Sequence, residues 1–104
     1  MKVRRGDIVL LPIAFTSGVG AKLRPALVVQ SDHNNVRLND TIVAIITKTT
    51  HRATSEPTQF LIEIHTSEGQ QSGLLHTSAV KCEHLATVSV ADISRVIGSL
   101  PRRR

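Results

Sequence analysis

Aromatic side chains are nearly missing from this 104-residue chain: it has no Trp, no Tyr and only two Phe, Phe15 and Phe60. Proteins that hold single-stranded nucleic acid by stacking need exposed rings. A cold-shock or RRM-type reader is therefore excluded, and both Phe are expected in the core. Cysteine is equally scarce. Cys82 stands alone, which rules out an intrachain disulfide and a multi-cysteine zinc cluster. Its neighbours Lys81 and His84 are placed to lower its pKa, but a lone Cys in an apolar strand reads as inert packing. No apolar run approaches the roughly 20 residues of a membrane helix. The start Met1-Lys2-Val3-Arg4-Arg5 leads only into Ile8 to Leu11 and then Pro12, too short for a signal-peptide core. A cytoplasmic protein is expected, without contact to a membrane.

The chemistry-bearing motifs are sparse as well. His33, His51, His65, His76 and His84 share no helical i, i+4 pairing, and the carboxylates make no EF-hand pattern. No metal and no cofactor is expected. Gly18-Val19-Gly20 is an isolated Gly-x-Gly with no following Gly-Lys-Ser/Thr, and there is no Gly-x-Ser-x-Gly elbow.

What the chain does have is β-branched and basic. Hydrophobic residues make up 40%, enough to argue against disorder, and the length fits one domain over residues 1–104. The charge is +5, from 13 basic and 8 acidic side chains. Three of the positives are Arg102, Arg103 and Arg104; without them the balance is 10 against 8, or +2. The remaining bases cluster where loops meet strands, as a polyanion site requires.

Short β-branched runs bounded by Gly, Pro, Asn, Asp or Ser predict strands at 7–12, 26–30, 41–47, 59–64, 79–83 and 86–90. Ile42-Val43-Ala44-Ile45-Ile46 is continuously apolar, so its strand is expected to be covered on both faces. Ser31 or Asp32 can cap one helical turn. The Thr/Ser-rich segment 48–58 reads as a long surface loop, and 68–73 as a turn-rich connection. Residues 90–100 are ambiguous: Ser89 with Asp92 resembles a capping box, while Val96-Ile97-Gly98 suits a strand. Short connections leave an antiparallel sheet closed, or nearly closed, into a small barrel.

One junction concentrates the interest. Arg24 follows a Gly-containing loop and precedes Pro25-Ala26-Leu27-Val28-Val29. Pro25 biases Arg24 to an extended backbone and is expected to open the strand. A planar fork of donors fixed at a strand mouth suits a phosphate.

These same residues carry a resemblance. Arg5-Gly6-Asp7-Ile8-Val9-Leu10, Leu23-Arg24-Pro25-Ala26-Leu27-Val28-Val29, Val43-Ala44-Ile45-Ile46-Thr47 and Ala79-Val80-Lys81-Cys82-Glu83-His84-Leu85 resemble, in that order, the MazF/PemK toxin family. The resemblance implies a mainly β, small SH3-like antiparallel barrel of the CcdB/MazF type with short helical turns. It implies a metal-independent endoribonuclease that cuts single-stranded RNA at a short sequence. It also implies a homodimer held in check by an acidic antitoxin protein. The family's catalytic Arg and Thr fall on Arg24 and Thr47. Lys81 and Glu83 stand where a PemK-type member has an Arg and an Asp used for RNA contact or proton transfer. Lys22, Lys48 and Thr49 flank the two main residues and are expected to touch RNA. His76 and His84 are the candidates for a proton relay.

Two departures stand out. The loop from Thr16 to Leu23 lacks the charged or histidine residues that some members carry, and the family's usual C-terminal helix is not evident by Arg104. The rival readings are a CcdB-like poison of gyrase that cuts no RNA, and a catalytically degenerate member that still binds RNA or an antitoxin.

Overall fold

The computed structural model describes residues 1–14 and 20–101. The expectations placed on Phe15, on the loop tip 16–19 and on the tail 102–104 lie outside these residues. Six strands form one sheet: β1 (Asp7–Ala14), β2 (Ala21–Val28), β3 (Asp40–Thr47), β4 (Gln59–Ile62), β5 (Ser78–Ser89) and β6 (Arg95–Ser99). Their order across the sheet is β4-β5-β3-β2-β1-β6, and every neighbouring pair is antiparallel. Two short helices, α1 (Asp32–Arg37) and α2 (Ser67–Ser72), and a 3-10 turn at Val90–Asp92 complete the described elements.

The sheet curls because both of its faces are apolar and each needs a cover. On one face Val9, Leu11, Ala26, Val28 and Val43 pack with Val3 and Ile93. On the other, Ile8, Leu27, Ala44, Ile46 and Val80 pack with Ile62. Alternation along β1, β2 and β3 assigns successive residues to opposite clusters. The continuous apolar run of β3 follows from this, with Val43 in one cluster and Ala44 and Ile46 in the other.

β5 is a single strand where the sequence suggested two. Its ladder with β3 slips between Ala44 and Ile45: Ala44 faces Leu85, but Ile45 faces Lys81. Cys82, Glu83 and His84 therefore have no partner on β3. This wide bulge turns the strand, as extra residues do. The segment before it supplies Val80 to one cluster and the segment after it lends Ala86 and Val88 to the other.

Local signals explain the helices. Ser31 caps α1, its Oγ accepting from the Asn34 amide at 3.4 Å. Thr66 caps α2, accepting from the Gly69 amide at 3.0 Å. Gly73 ends α2 at φ +75°, where an added Cβ would run into the Ile97 carbonyl. The turn-rich reading of 68–73 was thus too open: it is a capped helix. The residues after Ser89 satisfy both readings in succession, a 3-10 turn capped by Ser89 and then β6. The described part of 48–58 is turns without helix or strand, as expected.

Two further expectations need correction. β2 begins at Ala21, so Pro25 lies inside a strand and does not open it. Phe60 is 40% exposed rather than buried.

Candidate active site

Pro25 creates the seam in which the site sits. The Val28 carbonyl accepts from Gly6 on the β1 side, and the Val29 amide donates to Ile42 on the β3 side. Backbone groups alternate along a strand, so Pro25 turns its nitrogen toward β3. It has no N–H to give. The β2–β3 ladder pairs Val28 with Val43, Leu27 with Ala44 and Ala26 with Ile45, and then stops. The last paired step, Ala26 with Ile45, lies two residues short of Arg24 on β2 and of Thr47 on β3. By alternation along each strand Arg24 shares the face of Ala26, and Thr47 that of Ile45, so both stand on one face of the sheet just past the unzipped end of the ladder.

Thr47 is half-buried, and its Oγ1 accepts from the Thr49 amide at 3.1 Å. That bond fixes the oxygen as the cap of the following turn. Among the described residues the hydroxyl donates to none, which leaves its proton for an incoming oxygen. Arg24 is also half-buried and pairs with Leu11 of β1, a member of the first apolar cluster.

The row continues across the sheet. Lys81 faces Ile45 on one side and Gln59 on the other, which puts it on the face of Arg24 and Thr47. Glu83 reaches the same side from the bulge. One of its carboxylate oxygens accepts from Gln59 Nε2 at 2.8 Å, and the other lies 3.1 Å from Thr58 Oγ1. The Gln59 amide is the main cause that holds the Glu83 carboxyl below the usual carboxylate range, with its backbone bond, Thr58 and the Lys81 charge acting the same way. Glu83 is therefore a carboxylate at neutral pH and a weak base. Beside it the Thr58 amide, at 3.0 Å, and then the Thr58 hydroxyl, at 2.8 Å, lower the pKa of Glu56.

The remaining site candidates divide. Lys22, on β2, alternates to the face of Arg24 and is exposed, while Lys48 and Thr49 are exposed in the turn that follows β3. His84 is exposed in the bulge, whereas His76 lies before β5, its carbonyl accepting from Ser78 Oγ at 2.8 Å. The two histidines belong to separate segments. Among the described residues no three His, Cys, Asp or Glu side chains gather as a metal site. No described helix is long and apolar enough to cross a membrane.

Cys82 departs from its expected role: it is exposed. Burial of the thiol, followed by the Glu83 charge, pushes its pKa up, so Lys81 and His84 do not activate it. Cys82 lines a groove of about 820 Å³ with Leu27, Val29, Phe60, Ile62 and Leu100. That groove belongs to the second apolar cluster, and none of Arg24, Thr47, Lys81 or Glu83 lines it.

A curled antiparallel half-barrel of six strands with two short helices is the fold of one class, small β-barrel toxins. The family model for PemK-like, MazF-like toxins of type II toxin–antitoxin systems matches residues 4–104. This chain belongs to that family. The solved structures agree. Mycobacterium tuberculosis toxin MazF-mt6 is 25% identical, with a TM-score of 0.68 over 91% of this chain and 80% of that one. An endoribonuclease in complex with its cognate antitoxin, from a mycobacterial species, is 20% identical, with a TM-score of 0.71 over 95% and 80%. The MazE–MazF structure from Deinococcus radiodurans shares the fold at 17% identity, with a TM-score of 0.67 over 97% and 83%. No curated protein sequence matches the chain.

Sequence reasoning missed Thr58 and Gln59. Both lie at the edge of the expected surface loop, and only the β4–β5 register carries them to Glu83. No local pattern marks them.

Proposed function

We propose that this toxin is a metal-independent endoribonuclease for single-stranded RNA, with Arg24 and Thr47 as its catalytic residues. The observation that supports this reading is that Arg24 and Thr47 lie on one face just past the point where the β2–β3 ladder stops, with the Thr47 hydroxyl donating to no described residue.

The chemistry needs no external nucleophile. The ribose 2′-oxygen loses its proton and attacks the adjacent phosphorus, the P–O5′ bond breaks, and the leaving 5′-oxygen takes up a proton. The products are a 2′,3′-cyclic phosphate and a 5′-hydroxyl. Charge builds on the non-bridging oxygens in the transition state. Arg24 grips two of them in a fork, and the Thr47 hydroxyl donates a third hydrogen bond. Arginine holds its proton too tightly to shuttle it, so Arg24 acts through charge. Lys81 and Lys22 extend along the same face and steer the flanking phosphates, while Lys48 and Thr49 meet the RNA from the turn after β3.

An acidic antitoxin and a second copy of the chain complete the proposal. The basic face suits a disordered acidic segment, and the mycobacterial relative is described with its cognate antitoxin.

The deciding assay is incubation with a long single-stranded RNA in EDTA. The wild type cuts it at defined positions and leaves cyclic-phosphate ends. Removing one positioned donor lowers turnover by on the order of 10²–10³, so Arg24→Ala and Thr47→Ala are each expected in that range. RNA left intact by the wild type would overturn the reading. Cleavage that survives Arg24→Ala would overturn the site.

A further inference from the structure

Lys81 and Glu83 stand two residues apart on the phosphate-facing side, and an ammonium beside a carboxylate ordinarily closes into an ion pair. Here it does not. One Glu83 oxygen accepts from Gln59 Nε2 at 2.8 Å, and the other lies 3.1 Å from Thr58 Oγ1, whose single proton it shares with Glu56 at 2.8 Å. The Lys81 ammonium makes no hydrogen bond or ion pair with any described residue. The donor that matters most is Gln59. It faces Lys81 directly across the β4–β5 ladder, yet turns its amide N–H toward Glu83. Its carbonyl Oε1 is buried without a partner. A half-buried side chain that leaves one polar atom unsatisfied is held by its other bond, because the orphaned acceptor is unfavourable.

We propose that Gln59 is a positioning residue: it draws the Glu83 carboxylate toward β4 and so keeps the Lys81 ammonium available to an RNA phosphate. The role rests on the nucleic-acid reading above but not on the identity of the cleavage residues. Without the amide, Glu83 swings to Lys81 and cancels the charge that the backbone of the substrate would meet. The bulge is what makes this arrangement fit. Because residues 82–84 have no partner on β3, Glu83 is free to lean toward β4, while Lys81 stays in register between Ile45 and Gln59.

The test is a rescue. A non-cleavable single-stranded RNA carrying 2′-O-methyl groups is titrated by fluorescence anisotropy over a series of salt concentrations. Each phosphate contact on a single strand contributes about 0.7 to the slope of log affinity against log salt. Gln59→Leu is expected to lower the slope by about that amount and to weaken binding several-fold at low salt. The shorter amide in Gln59→Asn is expected to do the same. Lys81→Gln should match them and add nothing in combination. Glu83→Gln added to Gln59→Leu should restore both slope and affinity, an outcome that a merely structural role for Gln59 would not give. An unchanged slope in Gln59→Leu, or a double variant as weak as the single one, overturns the proposal. A second readout separates it from the substrate reading: the rate at which an acylating reagent modifies Lys81, followed by mass spectrometry. Pairing with Glu83 protects the amine, so Gln59→Leu should slow the reaction and Glu83→Gln reverse it. A wild type that binds no RNA removes the nucleic-acid reading, and the acylation rates still decide the clamp.

Discussion

Arg24 gains its position from the residue after it. Pro25 withholds one N–H from the β2–β3 ladder, and that single missing donor keeps the seam open at the point where Arg24 and Thr47 emerge. The geometry of the guanidinium matters as much as its charge, since only a planar fork meets two phosphate oxygens at once. Arg24→Lys keeps the charge and loses the fork. Turnover on a single-site RNA substrate should fall by about tenfold, between wild type and Arg24→Ala, with the larger change in kcat than in KM. A lysine variant as active as wild type would show that point charge alone suffices. Thr47 illustrates a second residue-scale rule: a hydroxyl can cap a turn with its oxygen and still offer its proton. The capping and catalytic readings of Thr47 are therefore compatible.

At the scale of elements, α1 is a six-residue helix tied down by polar contacts rather than by an apolar face. Asn35 is 4% exposed. Its Oδ1 accepts from Gln30 Nε2 at 2.9 Å and from Thr41 Oγ1 at 2.8 Å, and its Nδ2 donates to the Gln30 carbonyl at 3.0 Å. Gln30 Nε2 also reaches the Asp40 carbonyl at 2.9 Å, so the network pins the helix to the start of β3. Asn35→Ala leaves the fully buried Thr41 hydroxyl without its acceptor. The expected destabilisation is about 2–3 kcal/mol, read from urea unfolding. A loss below about 0.5 kcal/mol, the scatter of surface substitutions, would mean the network is dispensable. β5 makes the complementary point. Its bulge costs ladder bonds but lets one strand serve both apolar clusters and carries Glu83 away from β3.

For the molecule as a whole, the two lowered carboxylates couple stability to pH. Glu56 and Glu83 both have folded pKa values below the ordinary 4.5. Their contribution is present above that value and is lost as pH falls through the lower folded values. Chemical denaturation should thus show stability dropping on acidification below about pH 4.5, and Glu56→Gln should flatten part of that drop. An identical pH dependence in the variant would count against the Thr58-anchored carboxylate. The cations Arg24 and Lys81 lie on one face of the sheet, and the apolar groove of about 820 Å³ belongs to the other cluster.

Much of this was legible in the sequence, because it depends on neighbours along the chain. Alternating and continuous apolar runs marked the strands, with the ends of β2 off by five and two residues around Pro25 and β5 read as two strands across its bulge. Ser31 and Ser89 declared their caps through hydrogen bonds spanning two or three residues. The family blocks identified Arg24 and Thr47 as a pair. Only the tertiary structure decided what depends on register, since pairing across strands leaves no trace in local composition. Register ended the β2–β3 ladder just before Arg24 and Thr47, merged two expected strands into β5, exposed Phe60 and Cys82, and brought Gln59 and Thr58 from the end of a loop to the Glu83 carboxylate.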